Sequence, residues 1–105
     1  MNIINDIYII IMKYTLINRN KSTFSKNNEF FVKWMRRTDA QHFSSNKQFM
    51  EAYALRKSSF EKIILRTDSE DVFVEDLLKN KLLSIIHQPK KLWDFFQNPS
   101  LLFKF

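Results

Sequence analysis

The chain contains no glycine among its 105 residues, although glycine ordinarily makes up about 7% of a protein. Glycine supplies backbone conformations with positive φ and allows a backbone to approach a phosphate closely. Its absence excludes the standard forms of the Walker phosphate loop, the Rossmann dinucleotide fingerprint, the G-x-S-x-G nucleophile elbow and the EF-hand loop. Tight two-residue hairpins are also disfavoured without glycine, which favours a helical fold.

Cysteine is absent as well, and histidine occurs only at His42 and His87. Disulfides and thiolate metal ligands are therefore excluded, and neither histidine has a second one at the spacing of a zinc site. No motif ties a serine to a histidine and a carboxylate. These absences predict that the protein is not an enzyme and that it uses no metal, cofactor or small-molecule substrate.

Positive charge and large apolar side chains are abundant. The formal net charge is +6, eleven residues are phenylalanine, and 45% of the chain is apolar. Residues with A/T-rich codons, such as Phe, Ile, Asn and Lys, are frequent, whereas Gly, Ala, Arg and Pro are scarce. This composition indicates an A/T-rich genome, such as that of an organelle or a virus. The length predicts a single domain over residues 1–105.

Both ends of the chain are apolar. Residues 1–17 contain an uninterrupted apolar run only from Ile7 to Met12, which is too short to span a membrane and lacks the flanks of a signal peptide. The apolar positions of this segment fit a helical stripe and a strand alternation, so both structures remain open. Residues 99–105 form an apolar tail, and both ends are predicted to pack against neighbouring protein subunits.

The interior of the chain is predicted to be helical. Residues 18–28 lack periodicity and indicate a basic loop or arm, followed by a helical body over residues 29–98. Ser45 with Gln48 and Thr67 with Glu70 have the spacing of capping boxes that begin helices, and Pro89 suits the first turn of a last short helix. The predicted fold is mainly α, a small single domain of about four to five helices with an extended basic arm and apolar termini.

The N-terminal third carries the candidate binding residues. Residues 1–37 contain seven Lys and Arg against two acids, which favours a polyanionic partner. Cations bind phosphates, and aromatic rings stack on unpaired bases. The candidate RNA-binding residues are Arg19, Lys21, Phe24, Lys26, Lys33, Arg36 and Arg37. An amphipathic helix whose aromatic residues Phe30, Phe31 and Trp34 all enter the core is the competing interpretation of residues 29–37.

These observations lead to a functional expectation. The protein is expected to be a structural subunit of a large ribonucleoprotein that contacts RNA, for which the rRNA of a mitochondrial ribosome is the natural candidate. It would then lie inside the cell, in the mitochondrial matrix if the gene is organellar. Two alternatives are an accessory subunit of a respiratory membrane complex, whose cations face lipid headgroups or acidic protein, and a viral protein that binds a host factor.

Overall fold

A computed structural model describes residues 8–91, which form three helices and one three-stranded antiparallel sheet. Two strands come first, β1 (Tyr8–Leu16) and β2 (Lys21–Ser25). Three helices follow, α1 (Asn28–Thr38), α2 (Asn46–Glu61) and α3 (Glu70–Lys79), and the last element is β3 (Leu83–Lys91). The strand order is β2-β1-β3, so the first strand along the chain is the central one. The fold is therefore a small α/β domain, and the prediction of a mainly α fold with four to five helices is wrong.

The N-terminal apolar segment is a strand over residues 8–16. Tyr14 and Leu16 enter the core and Met12 packs against it, which is the two-residue alternation of a strand. Isoleucine is β-branched and favours this pleated surface. The segment forms a strand because β2 and β3 pair with it, one on each side. The hydropathy pattern of the segment does not reveal these partners.

Residues 18–28, predicted as an extended arm, are instead part of the sheet and of its connection to α1. Residues 17–20 form the turn of a hairpin, β2 follows, and Asn27 caps α1 by accepting the N–H of Phe30 at 2.9 Å. The core-facing residues of β2 are Thr23 and Ser25, which are small and polar yet buried. This strand therefore lacks the alternation of apolar and polar residues by which a half-buried strand is predicted from sequence.

The C-terminal part of the predicted helical body is the strand β3. The helix α3 ends at Lys79, and the N–H of Leu82 donates to the carbonyl of Leu77 at 2.9 Å as the chain reverses. Leu78, Leu82 and Ile85 have helical spacing, but Leu82 and Leu83 are the residues that enter the core. Strand pairing with β1 over nine residues overrides the local helical pattern.

Pro89 lies in β3 rather than at the start of a helix. The N–H of Ile17 donates to the carbonyl of Leu82 at 3.0 Å, and hydrogen-bonded pairs alternate with non-hydrogen-bonded pairs along an antiparallel ladder. Pro89 is opposite Ile10, an odd number of pairs away, so its backbone nitrogen faces away from β1. An edge strand tolerates proline at such a position because no ladder hydrogen bond is lost. The remainder of the predicted last helix and the apolar tail lie outside the described residues.

The predicted helix starts agree in part with the structure. Ser45 is the N-cap of α2, as its spacing to Gln48 predicts, and its hydroxyl accepts the Gln48 N–H at 3.2 Å. The Gln48 side chain bonds to Ser44 instead of completing the capping box. The N-cap of α3 is Ser69, so the prediction that Thr67 begins this helix is wrong by two residues. Among residues 8–91, no helix is long and apolar enough to cross a membrane.

The core joins the sheet to the helices through stacked aromatic rings. The Tyr14 ring stacks on Phe31 of α1, with centroids 4.3 Å apart and planes 10° apart. The Tyr14 hydroxyl donates to Asn28 Oδ1 at 2.8 Å, and Asn28 Nδ2 donates to Asp71 Oδ1 at 2.9 Å. Burial and the Asp71 carboxylate raise the pKa of Tyr14 to about 12. The Tyr14 hydroxyl therefore stays protonated at neutral pH and remains a donor.

Asn46 holds the three helices together at their N-terminal ends. Its side-chain amide donates to the carbonyl of Glu29 in α1 and to Glu70 Oε2 in α3, both at 3.2 Å. Its Oδ1 accepts the Arg36 Nε–H at 3.0 Å. One side chain at the first residue of α2 thus contacts both neighbouring helices.

In the absence of glycine, three other residues among those that the structure describes have positive φ. They are Asn20 in the hairpin turn, Lys62 after α2 and Lys81 before β3. Asparagine tolerates this region better than other non-glycine residues, but a left-handed lysine costs roughly 1–2 kcal/mol. The chain therefore carries local backbone strain at two helix-to-loop transitions.

We expect Lys62→Gly to stabilise the protein, because Lys62 adopts φ 58° and ψ 30° at the C-cap of α2. The strain energy that is relieved exceeds the free-energy cost of the greater freedom of glycine in the unfolded chain. The free energy of unfolding should therefore rise by about 0.5–1 kcal/mol. Urea unfolding measures it. Leu55→Gly, at an exposed position inside α2, is the control and should lose about 1 kcal/mol. A loss of stability in Lys62→Gly would contradict the left-handed cap.

A buried carboxylate fixes the segment between α2 and α3. Asp76 accepts hydrogen bonds from the backbone N–H of Arg66 at 2.7 Å and from its guanidinium at 2.8 and 2.9 Å. These donors hold the pKa of Asp76 below its usual range, against the opposing effect of burial. The folded state therefore favours the ionised carboxylate.

We expect Asp76→Asn to lower the free energy of unfolding at pH 7 by about 1–3 kcal/mol, the usual effect of disrupting a buried hydrogen-bonded charge. Because the folded pKa is lowered, the carboxylate stabilises the fold above its unfolded pKa near 4, and this contribution disappears as pH falls through the folded pKa. The difference between wild type and variant should thus shrink below about pH 4 in denaturant titrations. Asp68→Asn, at an exposed position, is the control, and a pH-independent difference for Asp76→Asn would contradict the assignment.

Candidate nucleic-acid interface

The exposed side of α1 presents a row of cations and one aromatic ring. Phe30, Lys33 and Arg37 follow one another at spacings of three and four residues, which places these three on one face of α1. Lys26 lies just before the helix, with its ammonium over the Phe30 ring. The opposite face buries Phe31, Val32 and Met35 in the core. We call Lys26, Phe30, Lys33 and Arg37 the basic stripe.

The ring of Phe30 lies between two of these cations. The Lys26 ammonium is 4.4 Å from the ring centroid and the Lys33 ammonium is 5.9 Å from it. Both distances are within the range of a cation–π interaction, which lets two positive charges remain close together on the surface. Phe30 itself is half-buried. The expectation that Phe30 enters the core together with Phe31 is therefore wrong.

A groove continues the basic stripe at the C-terminal end of α1. It is open, has a volume of about 540 Å³ and is bounded by α1 and the loop of residues 39–43. Its walls carry the three cations Lys33, Arg36 and Arg37 against one acid, Asp39. The groove is therefore positively charged and large enough to admit a segment of an anionic polymer.

Two ion and hydrogen-bond networks shape this groove. The Arg36 guanidinium donates to Asn46 Oδ1 at 3.0 Å and to the carbonyl of Phe43 at 3.2 Å, so it supports the loop that forms the wall. Asp39 bonds to Arg56 and to the N–H of Gln41, both at 2.9 Å. Burial opposes ionisation of Asp39, but these donors together lower its pKa. The one carboxylate of the groove is thus already neutralised by Arg56.

The structure separates the seven candidate residues into three places. Lys26, Lys33 and Arg37 lie together in the basic stripe, with Arg36 beside them. Lys21 and Phe24 lie on β2, where Phe24 is opposite Lys13 on the sheet face away from the core. Arg19 lies in the hairpin turn, near Tyr53 and Lys57 of α2. The candidates do not form one continuous arm, because residues 18–28 form a hairpin turn, the strand β2 and the connection to α1.

The candidate cations form no ion pair with any acid in residues 8–91. Among the described side chains, the ion pairs involve five cations, all from the part of the chain after residue 46: Lys47, Arg56, Lys57, Arg66 and Lys79. None of the six candidate cations takes part in an ion pair within residues 8–91. Nor does any group of three or more His, Asp or Glu side chains described there have the arrangement of a metal site.

Two features of the site were not predicted from the sequence. One is the partial exposure of Phe30. Its spacing from Lys33 and Arg37 indicates that it lies on the same helix face as these cations. The other is the loop of residues 39–43, whose position depends on Arg36 and Asn46 and has no local signature.

No protein-family model, curated protein or solved structure matches the chain. The interpretation of the site therefore depends on its own geometry.

Proposed function

We propose that this protein is a non-enzymatic subunit of a ribonucleoprotein assembly and that its basic stripe binds RNA phosphates. The observation that carries the proposal is the row Lys26, Lys33 and Arg37, whose cations are exposed on one helix face and form no ion pair with a described acid. Such cations bind phosphates and release the counterions condensed on the nucleic acid.

The distribution of ion pairs supports this proposal better than net charge alone. Exposed lysines of α2 and α3 are paired with carboxylates, Lys47 with Glu51 at 3.6 Å and Lys79 with Glu75 at 3.0 Å. Such pairs contribute little to stability at a protein surface, but they reduce the attraction of the lysines for an external anion. The unpaired cations therefore make α1 the preferred docking face for a polyanion.

The groove beside the stripe supplies binding rather than catalysis in this proposal. Its lining residues are cations, one neutralised carboxylate, a glutamine, an exposed histidine and apolar groups. No serine, threonine or cysteine is among its lining residues, so the groove offers no hydroxyl or thiol nucleophile for the usual triad chemistry. The expected role is to hold the RNA backbone beside α1.

We expect the double variant Lys33→Ala with Arg37→Ala to weaken RNA binding and to reduce its salt dependence. Removing two phosphate contacts should lower the slope of log K against log salt concentration by about 1.4, because single-stranded RNA releases about 0.7 counterion per neutralised phosphate. Anisotropy titrations of a labelled single-stranded RNA at several KCl concentrations measure the slope. Arg36 is left unchanged because its guanidinium supports the loop.

The matched control is Lys47→Ala with Lys79→Ala. It removes the same formal charge from exposed lysines that are already paired with Glu51 and Glu75. We expect this control to leave the slope nearly unchanged. An equal decrease in both double variants would contradict the proposal, since net charge rather than the basic stripe would then determine binding.

The assembly itself is proposed to be a ribosome, mitochondrial if the gene is organellar, because a short basic chain with apolar ends suits a subunit that bridges RNA and neighbouring proteins. The endogenous protein should co-sediment with ribosomal subunits in a sucrose gradient. High salt or ribonuclease treatment should move it to the top of the gradient, since phosphate contacts are lost in both cases. Co-sedimentation with a membrane complex that resists ribonuclease would contradict membership in a ribonucleoprotein.

A further inference from the structure

A second site lies at the C-terminal end of α2. A shallow cavity of about 130 Å³ is lined there by Phe60 and Glu61 at the helix end, by Tyr53, Arg56 and Lys57 one to two turns earlier, and by Arg19 from the hairpin turn. We call it the Phe60 groove. The Phe60 side chain is 85% exposed. A single exposed apolar residue is common at protein surfaces, so the argument depends on what surrounds it.

Phe60 extends the core-facing side of α2 beyond the core. Phe49, Tyr53 and Phe60 follow at spacings of four and seven residues, which places all three on the same helix face. Phe49 and Tyr53 are buried, whereas Phe60 lies two turns further along, one residue before the helix ends at Glu61. The fold therefore presents an aromatic ring to solvent at the end of the core-facing side of α2.

The charges around this ring leave one cation available. Lys57 pairs with Glu61 at 2.6 Å, and Arg56 pairs with Asp39 at 2.9 Å. The Arg56 and Lys57 side chains also lie over the Tyr53 ring, 5.7 and 5.5 Å from its centroid. Arg19 forms no ion pair with any acid described in residues 8–91, so it makes the groove net positive. The groove thus combines an exposed aromatic face with an unpaired guanidinium.

We propose that the Phe60 groove binds one unpaired base of single-stranded RNA, stacked on the Phe60 ring, with an adjacent phosphate at Arg19. Aromatic side chains beside cations are the usual platform for bases of a single strand, because every base has a π face. In a duplex these faces are covered by neighbouring base pairs. This inference rests on the proposed function, in which the basic stripe supplies further phosphate contacts.

The chemistry of the groove favours RNA over a protein segment. A peptide could pack any apolar side chain against the exposed ring. It would also need a carboxylate at Arg19 that is not repelled by the carboxylates of Glu61 and Asp39. A nucleotide places its aromatic base and its phosphate one sugar apart, and it carries one phosphate per base. The groove offers the same combination of one ring and one unpaired cation.

The inference is tested by titrating a labelled single strand of about 12 nucleotides and the fully paired duplex of the same sequence, both RNA. Phe60→Ala should weaken binding of the single strand about tenfold, the usual effect of losing one stacked base, and should leave duplex binding unchanged. Phe60→Trp should retain the affinity, and its indole fluorescence should decrease upon binding of the single strand. Arg19→Ala should reduce the salt slope by about 0.7.

Leu55→Ala is the matched control, because Leu55 is also an exposed apolar residue of α2, at 67%, but lies outside the groove. It should bind both RNAs as the wild type does. Phe60→Ala with unchanged single-strand affinity, or with an equal loss for single strand and duplex, would overturn the inference. If the basic-stripe variant still loses affinity in that case, the proposed function survives. A wild-type protein that binds neither RNA at low salt would overturn both.

Discussion

The stacking of Tyr14 on Phe31 is the contact on which the rest of the structure depends. It presses the central strand against α1 with ring centroids 4.3 Å apart, and the Tyr14 hydroxyl continues the link through Asn28 to Asp71 of α3. Because β1 is the central strand, whatever orients it also orients β2 and β3. The same contact turns the opposite side of α1 toward solvent, and this is the side that carries the basic stripe. A core interaction thus determines where the candidate interface lies.

The second organising feature is the separation of paired from unpaired cations. The acids of α2 and α3 neutralise cations of the same region, and Asp39 neutralises Arg56 across the loop of residues 39–43. The cations of β2 and α1 have no such partners among the described acids. The fold therefore concentrates four cations that form no ion pair in residues 8–91, Lys26, Lys33, Arg36 and Arg37, at α1 and just before it. This concentration gives the proposed RNA contact a physical basis that composition alone lacks.

Local patterns predicted the helices better than the strands. The helical spacing of Phe31 and Trp34 in α1, and the N-cap Ser45 of α2, are short-range signatures that the structure confirms. The strands β2 and β3 do not, because Thr23 and Ser25 are buried polar residues and because Leu82 and Ile85 also fit a helical stripe. The absence of glycine disfavoured two-residue hairpins, but the conclusion that the fold is mainly helical was wrong, since a four-residue turn with Asn20 at positive φ connects β1 and β2. Lys26, Lys33 and Arg37 were predicted as candidates from charge, whereas the exposure of Phe30 was not.

The sequence by itself determined which chemical groups are present: a basic N-terminal third, many aromatic residues, and no glycine or cysteine for the common catalytic and phosphate-binding motifs. It also determined the helical segments whose caps and apolar spacing lie within a few residues of one another. Only the fold shows that residues 8–16 are a strand, that residues 21–25 and 83–91 pair with it, and that Arg19 and Phe60 line the same groove. Sequence distance explains this best for β3, which pairs with β1 across tens of positions, and for Arg19 and Phe60, which line one groove from distant parts of the chain. No local propensity encodes such contacts.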